Sequence, residues 1–201
     1  MSAEIRETLR FLQQENARLK EENRALREEA RTLKGVVDAL RSLQMLSEHI
    51  SATSDIVALL GKILSSALAV IDAADGSLLL IDDDTGELVF AVVHGSARDR
   101  LTGYRIPTGT GIAGWAVEHR APVIVPDVRQ DSRFSPRVDE TFGFKTRSLL
   151  CVPILTSAKV LGVFTAVNKF DGHEFTEADL ALLGIVAQLA ATAMERADQA
   201  A

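Results

Sequence analysis

The glycine-rich run Gly109–Gly114 is the part of this 201-residue sequence whose residue types and spacing point most directly to chemistry. It has the form Gly-x-Gly-x-x-Gly before a short predicted helix, and the free N–H groups of a helix N-terminus bind anions such as phosphate. A dinucleotide-binding fold also needs a buried apolar strand before the first glycine. Pro107 precedes the run instead, and proline is excluded from central strands. The run therefore predicts an anion-binding helix start and argues against a Rossmann site.

Other reactive side chains are few. Cys151 is the single cysteine, so an intramolecular disulfide is excluded and a reducing cytoplasm is expected. The side chains of Arg147–Pro153 alternate as those of a strand do, and the sequence suggests no acid–base partner for the thiol. Both observations favour a buried structural cysteine over a reactive thiol. His94 at a strand end is interpreted as structural or solvated, and haem binding and general-base chemistry are the alternatives.

Metal binding is not indicated by the sequence. The run Asp82–Asp84 lacks a further ligand set at loop spacing, so we interpret it as turn chemistry in preference to a calcium site. The histidines show no metal-ligand spacing with one another or with the cysteine, so no zinc site is expected. They are His49, His94, His119 and His173.

The charge balance excludes some partners. The net charge is -6, from 22 Lys and Arg against 28 Asp and Glu. Residues 1–44 hold nine Lys and Arg and eight Asp and Glu. Residues 45–201 therefore hold 13 Lys and Arg against 20 Asp and Glu, and this part of the chain is acidic. Duplex binding needs a basic face, so nucleic-acid binding is not expected. No apolar signal core and no run of about 20 apolar residues is visible, so no membrane anchor is expected and a cytoplasmic location is predicted.

A heptad repeat over residues 1–44 comes before the segments that carry these side chains. Leucine recurs at d positions and asparagine at a positions, and Glu at g positions precedes Lys or Arg at e positions. The pattern predicts a parallel homodimeric coiled coil, followed by a helical linker at 45–53, and a solvated single helix is the alternative. The expected dimer seam is Leu12, Asn16, Leu19, Asn23, Leu26, Leu33 and Leu40.

Residues 54–198 are predicted to form one domain of the α+β class. An amphipathic helix is expected within Ser47–Ala74, and a final helix over about 177–197 with Thr176 as its cap. A polar loop is expected to reach about Lys145, and β-rich segments joined by hairpin signals predict a mainly antiparallel sheet. These segments are Ser77–Ile81, Leu88–Val93, Tyr104–Pro107, Val123–Pro126, Arg147–Leu155 and Val160–Asn168.

Three runs in this domain carry a specific resemblance: Gly109–Trp115, Asp139–Ile154 and Leu161–Val163. Through them the sequence resembles the GAF domain family, the small-molecule sensor module of cyclic-nucleotide phosphodiesterases, adenylate cyclases and many bacterial signalling proteins. The second run is most similar to the phosphodiesterase branch. The resemblance implies a six-stranded antiparallel sheet flanked by helices on both faces, here preceded by the long parallel dimeric coiled-coil helix.

A further signature follows the last predicted strand. Cyclic-nucleotide-binding members of the family carry Asn-Lys-(x)n-Phe-(x)3-Asp-Glu there, and Leu180 stands in place of the final Glu in this chain. The resemblance implies that the Lys and the Asp pair and hold the pocket closed without being primarily ligand contacts. Similar runs occur in family members not known to bind cyclic nucleotides. The implied pocket clasp is Asn168, Lys169, Phe175 and Asp179.

The same resemblance implies a set of ligand contacts. Ser77 and Asp139 would lie near the base, Ile112 and Ala113 beside the phosphate at the helix N-terminus, and Thr146 on the pocket wall. Two positions depart from the phosphodiesterase pattern: Phe142 stands where a threonine is expected, and Ser135 where a second aromatic residue is expected. Either Phe134 or Phe142 could stack on a purine, and the departures leave base selectivity open.

These observations lead to one expected function and two alternatives. The leading expectation is a non-enzymatic, dimeric sensor that binds a small molecule, with cAMP or cGMP as the candidate, and passes the signal to a separate output protein. The first alternative is a ligand-free dimerisation scaffold for such a protein. The second, a free-methionine-sulfoxide reductase, is disfavoured because that cycle needs several cysteines and Cys151 is alone.

Overall fold

The computed structural model describes residues 10–27, 30, 34, 37, 53–170 and 172–200. The chain divides into two units, Met1–Lys34 and Gly35–Ala201. In the first unit, residues 10–27 form a helix, α1.

The apolar side chains of α1 point into solvent. Leu12, Leu19 and Leu26 are 56%, 49% and 58% exposed. Glu15, a predicted g position, accepts a hydrogen bond from Arg18 of the same helix at 2.9 Å. Helical structure is thus present where the heptads predict it, whereas the dimer itself stays a prediction. The other seam residues Leu33 and Leu40, and residues 45–52 of the linker, lie outside the described residues.

The second unit contains the predicted α+β domain. Its helices and strands follow in the order α2 (Thr53–Val70), β1 (Ala73–Ile81), β2 (Leu88–His94), α3 (Arg98–Leu101), β3 (Arg105–Ile106), α4 (Gly111–His119), β4 (Val123–Val125), a 3-10 turn (Val128–Gln130), α5 (Arg137–Phe142), β5 (Leu149–Leu155), β6 (Val160–Lys169) and α6 (Glu177–Ala200).

The six strands form one sheet in the order β3-β2-β1-β6-β5-β4. All of the neighbouring strands pair antiparallel. The central pair joins β1 to β6, which come from opposite ends of the domain sequence. The predicted six-stranded antiparallel sheet is therefore confirmed.

Alternation along the strands creates two separate cores, because successive side chains point to opposite faces of a sheet. Leu78 and Phe164 point to the face that α2 and α6 cover, and Leu79 and Val163 point to the opposite face. The opposite face is covered by α3, α4 and the segment that contains α5. Helices thus lie on both faces, as the resemblance implied.

Two boundaries differ from the sequence predictions. The helix expected to reach Ala74 ends at Val70, because Asp72 takes a left-handed conformation (φ 54°) and the chain enters β1 at Ala73. The polar loop expected before Lys145 contains the 3-10 turn and α5. Short helices of this kind have too few turns to show a clear apolar period.

The last helix is apolar over a longer stretch than the sequence reading recognised. By length and composition alone, residues Glu177–Gln199 of α6 could cross a membrane. However, 44% of an 18-residue apolar window in that stretch is buried inside the domain, where Leu182, Leu183 and Val186 belong to the core against the sheet. A helix that buries an apolar stripe in this way is a core helix.

Gly162 provides a test of the close contact between the central strands. A Cβ atom there would overlap the backbone carbonyl oxygen of Leu79, whereas a Cβ at Gly184 on α6 would meet nothing within 4 Å. We expect Gly162→Ala to lower the free energy of unfolding by about 2–3 kcal/mol, and Gly184→Ala to raise it by about 0.5–1 kcal/mol. Urea denaturation at one protein concentration measures both, and equal effects would contradict the assigned packing.

Candidate ligand-binding site

A cavity of about 130 Å³ lies on the sheet face opposite α2 and α6. A water molecule needs roughly 10–15 Å³ on this scale, so the space is of small-molecule size. Strands β1, β2 and β6 contribute to it, together with the start of α4 and the segment around α5. All seven sequence-predicted contact residues line this one cavity: Ser77, Ile112, Ala113, Phe134, Asp139, Phe142 and Thr146.

The glycine-rich run shapes the entrance of α4. Gly111 has a φ of 70°, a left-handed conformation that glycine adopts without strain. A Cβ on Gly114 would lie 2.8 Å from backbone atoms of Gly109, so this pair lets the loop lie directly on the helix. In the described residues, Thr110 makes no side-chain cap, although its carbonyl accepts from Gly114 N at 3.2 Å. The first N–H groups of α4 thus border the cavity uncapped by Thr110.

Asp139 and Thr146 join two parts of the cavity wall. The Thr146 backbone N–H donates to Asp139 Oδ2 at 2.7 Å, and the Thr146 hydroxyl donates to Oδ1 at 2.7 Å. A carboxylate has about four acceptor sites, so capacity for a ligand donor remains. The short helix α5 therefore presents a carboxylate that the chain itself holds in place.

Aromatic side chains line the cavity beside this carboxylate. Phe134 and Phe142 both belong to the lining, as does Phe90 of β2. The rings of Phe142 and Tyr104 meet edge to face, with centroids 4.9 Å apart. Phe142, which departs from the family pattern, is therefore held by an aromatic neighbour and contributes apolar wall where a threonine was expected.

The segment that carries Phe134 is fastened to α4 by its neighbour. The guanidinium of Arg133 lies 4.3 Å from the centre of the Trp115 ring, a cation–π contact. Arg133 also donates two hydrogen bonds to Asp131, at 2.9 and 2.6 Å, and the bond from Arg133 lowers the pKa of the Asp131 carboxyl. This cluster connects the cavity segment to the helix that supplies Ile112.

The predicted clasp forms an ion pair outside the cavity lining. Lys169 Nζ lies 2.7 Å from Asp179 Oδ2, with the two side chains 13% and 11% exposed. Asp179 Oδ2 also accepts from the backbone N–H of Thr176 at 2.7 Å, while the Thr176 hydroxyl accepts from Asp179 N at 3.3 Å. This reciprocal arrangement is a capping box at the start of α6. Phe175 is buried beneath it, with Lys169 Nζ 5.8 Å from the centre of its ring.

Asn168 connects the clasp to the cavity wall. Its side-chain oxygen accepts from the backbone N–H groups of Arg147 and Ser148 at 2.8 and 3.3 Å, and its amide donates to Lys145 O at 3.0 Å. These residues flank Thr146 of the wall. Asn168 thus supports the wall from behind, and none of the four clasp residues lines the cavity.

The structure also places the other side chains considered for chemistry, which are Cys151, His94 and Asp82. Cys151 is fully buried in β5, and burial raises the pKa of its thiol. His94 is exposed at the end of β2 and lines the cavity. Asp82 makes turn contacts, accepting from the backbone N–H groups of Asp84 and Thr85 at 3.1 Å. In the described parts of the chain, no group of three or more His, Cys, Asp or Glu could hold a metal ion.

Sequence reasoning missed three polar residues of the lining: Asp75, Arg137 and Thr165. The alternation of β6 would have placed Thr165 on the same face as Val163 and Val167, but the sequence does not reveal which face bears a cavity. Asp75 Oδ1 accepts from Ser96 N at 2.9 Å, a contact between residues far apart in sequence. These positions depend on strand register, which short-range patterns do not fix.

The domain is thus an α+β domain with an antiparallel sheet, helices on both faces of the sheet and a cavity of small-molecule size on one of them. Residues 55–194 match the family model for the GAF domain. The chain belongs to this family, and the predicted membership is confirmed.

Curated relatives include two phosphodiesterases. The chain is 37% identical over 144 residues to dual 3',5'-cyclic-AMP and -GMP phosphodiesterase 11A of Takifugu rubripes, which covers 67% of this chain and 16% of the relative. It is 44% identical over 73 residues to the cone cGMP-specific 3',5'-cyclic phosphodiesterase subunit alpha' of Bos taurus, covering 36% of this chain and 8% of the relative. The chain therefore spans only a small part of these relatives.

A solved structure shows the same fold. The GAF domain of a phosphoenolpyruvate-protein phosphotransferase from Coxiella burnetii matches with a TM-score of 0.68 at 21% sequence identity. The match covers 82% of this chain and 97% of that domain. At this identity the likeness concerns the fold alone.

The clasp can be tested by a double-mutant cycle. We expect Lys169→Met to lower the free energy of unfolding by about 1–3 kcal/mol, and Asp179→Asn by about 3 kcal/mol because it leaves Lys169 buried without its partner and weakens the cap. The coupling energy between the two substitutions should be about 1–2 kcal/mol.

An exposed ion pair in the same domain provides the matched control. Lys159 Nζ lies 3.2 Å from Asp83, with side chains 55% and 78% exposed. The cycle of Lys159→Met with Asp83→Asn should give less than about 0.5 kcal/mol of coupling. Chemical denaturation measures both cycles, and equal coupling energies would show that the Lys169 pair is no clasp.

Proposed function

We propose that this chain is a non-enzymatic signalling sensor whose GAF cavity binds a small molecule, with cAMP or cGMP as the candidate ligand. The observation that carries the proposal is that seven residues implied by the resemblance, spread from Ser77 to Thr146 along the sequence, meet in one cavity. The similarity to phosphodiesterases named for cyclic AMP and cyclic GMP supports the ligand class.

The chemistry of the cavity suits a cyclic nucleotide. The cyclic phosphate carries one negative charge, which the N–H groups at Ile112 and Ala113 would stabilise together with the helix dipole. A purine would fill the apolar space beside Phe134 and Phe142. Its N–H groups would donate to Asp139.

Signal output is proposed to pass through a homodimer. The exposed Leu12, Leu19 and Leu26 of α1 support a parallel coiled coil, since each leucine would bury its side chain against a second copy. In this proposal, ligand binding favours one state of the dimer over another. A separate cytoplasmic output protein distinguishes those states.

A ligand-free scaffold is the second candidate function. It is favoured by Ser135 and Phe142, which depart from the phosphodiesterase pattern at two cavity positions. In that case the domain would hold a partner protein and the cavity would have no regulatory ligand. A ligand titration on the full chain separates the two functions.

We expect calorimetry to detect binding of cAMP or cGMP to the full chain. Asp139→Ala should weaken that binding at least about tenfold, because it removes an acceptor for the ligand and releases Thr146. Asp83→Ala, at an exposed turn carboxylate, is the control and should bind as the wild type does. No heat and no thermal shift with either nucleotide would reject both as ligands and favour the scaffold.

The dimer is tested by Leu19→Asp. The substitution removes two leucine contacts from each dimer, worth about 1.5–3 kcal/mol apiece, so sedimentation velocity should show a monomer at concentrations where the wild type is dimeric. Glu21→Ala, at an outward-facing f position of the heptad, should leave the dimer intact. A wild-type monomer, or a dimer unaffected by Leu19→Asp, would contradict the coiled-coil proposal.

A further inference from the structure

A pair of hydroxyl groups forms part of the cavity floor. Ser77 on β1 and Thr165 on β6 face each other in the register of the two central strands, and each residue is 5% exposed. Their hydroxyl oxygens lie 2.7 Å apart, and Thr165 Oγ1 also accepts from Ser77 N at 3.2 Å. Within the described part of the chain, neither hydroxyl has a further hydrogen-bond partner.

Counting protons shows that one donor is left over. Each hydroxyl carries a single proton and can donate one hydrogen bond. The hydrogen bond between the two oxygens uses one of the two hydroxyl protons, whichever residue donates it. The bond from the Ser77 backbone N–H uses the amide proton and does not change the count of hydroxyl protons. One O–H group therefore has no acceptor among the described residues, and a buried donor without an acceptor is costly.

The strand neighbours of the pair on this face are apolar except for Asp75, two residues back along β1, and Cys151, which pairs with Thr165 from β5. Leu79 lies two residues along β1 on the same face, Val167 lies two residues along β6, and Leu149 pairs with Val167 from β5. The apolar side chains cannot accept a hydrogen bond. Asp75 accepts from Ser96 instead, and in the described structure neither Asp75 nor Cys151 bonds to either hydroxyl. An acceptor for the remaining O–H must therefore come from whatever occupies the cavity.

We propose that Ser77 and Thr165 together form a donor site that recognises a hydrogen-bond acceptor on the ligand, a carbonyl oxygen or an unprotonated ring nitrogen. This inference rests on the proposed ligand-binding function of the cavity. Asp139 supplies the complementary group, because its carboxylate accepts hydrogen bonds and cannot donate them. The two polar groups select a planar heterocycle that carries both an acceptor and a donor, and Thr165 joins the specificity-determining residues.

Proton counting makes an unusual prediction for variants of the pair. Ser77→Ala leaves the Thr165 hydroxyl free to donate, and Thr165→Val leaves the Ser77 hydroxyl free. Each single variant therefore keeps one donor, and only the double variant has none. A role in packing alone would instead give losses that add from the single variants to the double variant.

The experiment uses two small probes of equal shape, pyridine and benzene, titrated at pH 8 into the isotope-labelled full chain and followed by amide chemical shifts. Pyridine has one acceptor nitrogen and benzene has none. We expect each single variant to change the dissociation constant of pyridine by less than about threefold, and the double variant to weaken it about tenfold. Benzene should bind the double variant within about threefold of the wild type.

Three controls complete the design. Thr192→Val makes the same substitution on α6, where the hydroxyl donates to Gln188 O at 3.0 Å, and it should leave both probes unaffected. The amide spectrum of each variant shows whether it retains the fold. The variant Thr165→Ser keeps the hydroxyl and should retain pyridine binding.

The outcomes separate this inference from the proposed ligand. Additive losses for pyridine, equal losses for benzene, or the absence of either probe from the cavity would overturn the donor site. If the double variant binds pyridine more weakly but binds benzene as the wild type does, and the wild type binds neither cAMP nor cGMP, the donor site stands and the cyclic-nucleotide proposal fails. If cyclic nucleotides bind the wild type and the double variant equally, the donor site fails and the proposed function stands.

Discussion

The antiparallel pairing of β1 with β6 is the constraint on which the rest of this domain depends. It joins the two ends of the domain sequence, and its register decides which side chains reach each face of the sheet. Leu78 and Phe164 enter the core beneath α2 and α6, while Ser77 and Thr165 reach the cavity. The close approach at Gly162 requires a residue without a side chain. A shift of one residue would exchange the two faces.

The cavity exists because the second face is covered by a segment that is fixed at several points. Asp139 binds Thr146 through both carboxylate oxygens. Arg133, which pairs with Asp131 of its own segment, joins that segment to α4 through Trp115. These contacts are polar and specific, whereas the α2 and α6 face is filled with apolar side chains. Apolar cores on both faces of the sheet stabilise the domain, and the second face also encloses space for a ligand.

The cavity wall and the last helix are connected through adjacent residues. Asn168 holds the backbone on both sides of Thr146, and Lys169 pairs with Asp179 in the first turn of α6. The chain thus places Asn168, which supports the wall, next to Lys169, which pairs with the capping residue Asp179. This continuity provides a physical route by which a change at the wall can reach α6.

The sequence by itself determined the class of the domain, its strand segments, the glycine-rich helix start and the Lys169–Asp179 pair, because these follow from local periods and from family motifs. It also predicted seven of the residues that line the cavity, although it did so by resemblance. Only the tertiary structure decided that α5 is a helix, that Asn168 stands behind the wall, and that Thr165 meets Ser77. The reason is physical: these features depend on register and packing between residues distant in sequence, which no local pattern encodes.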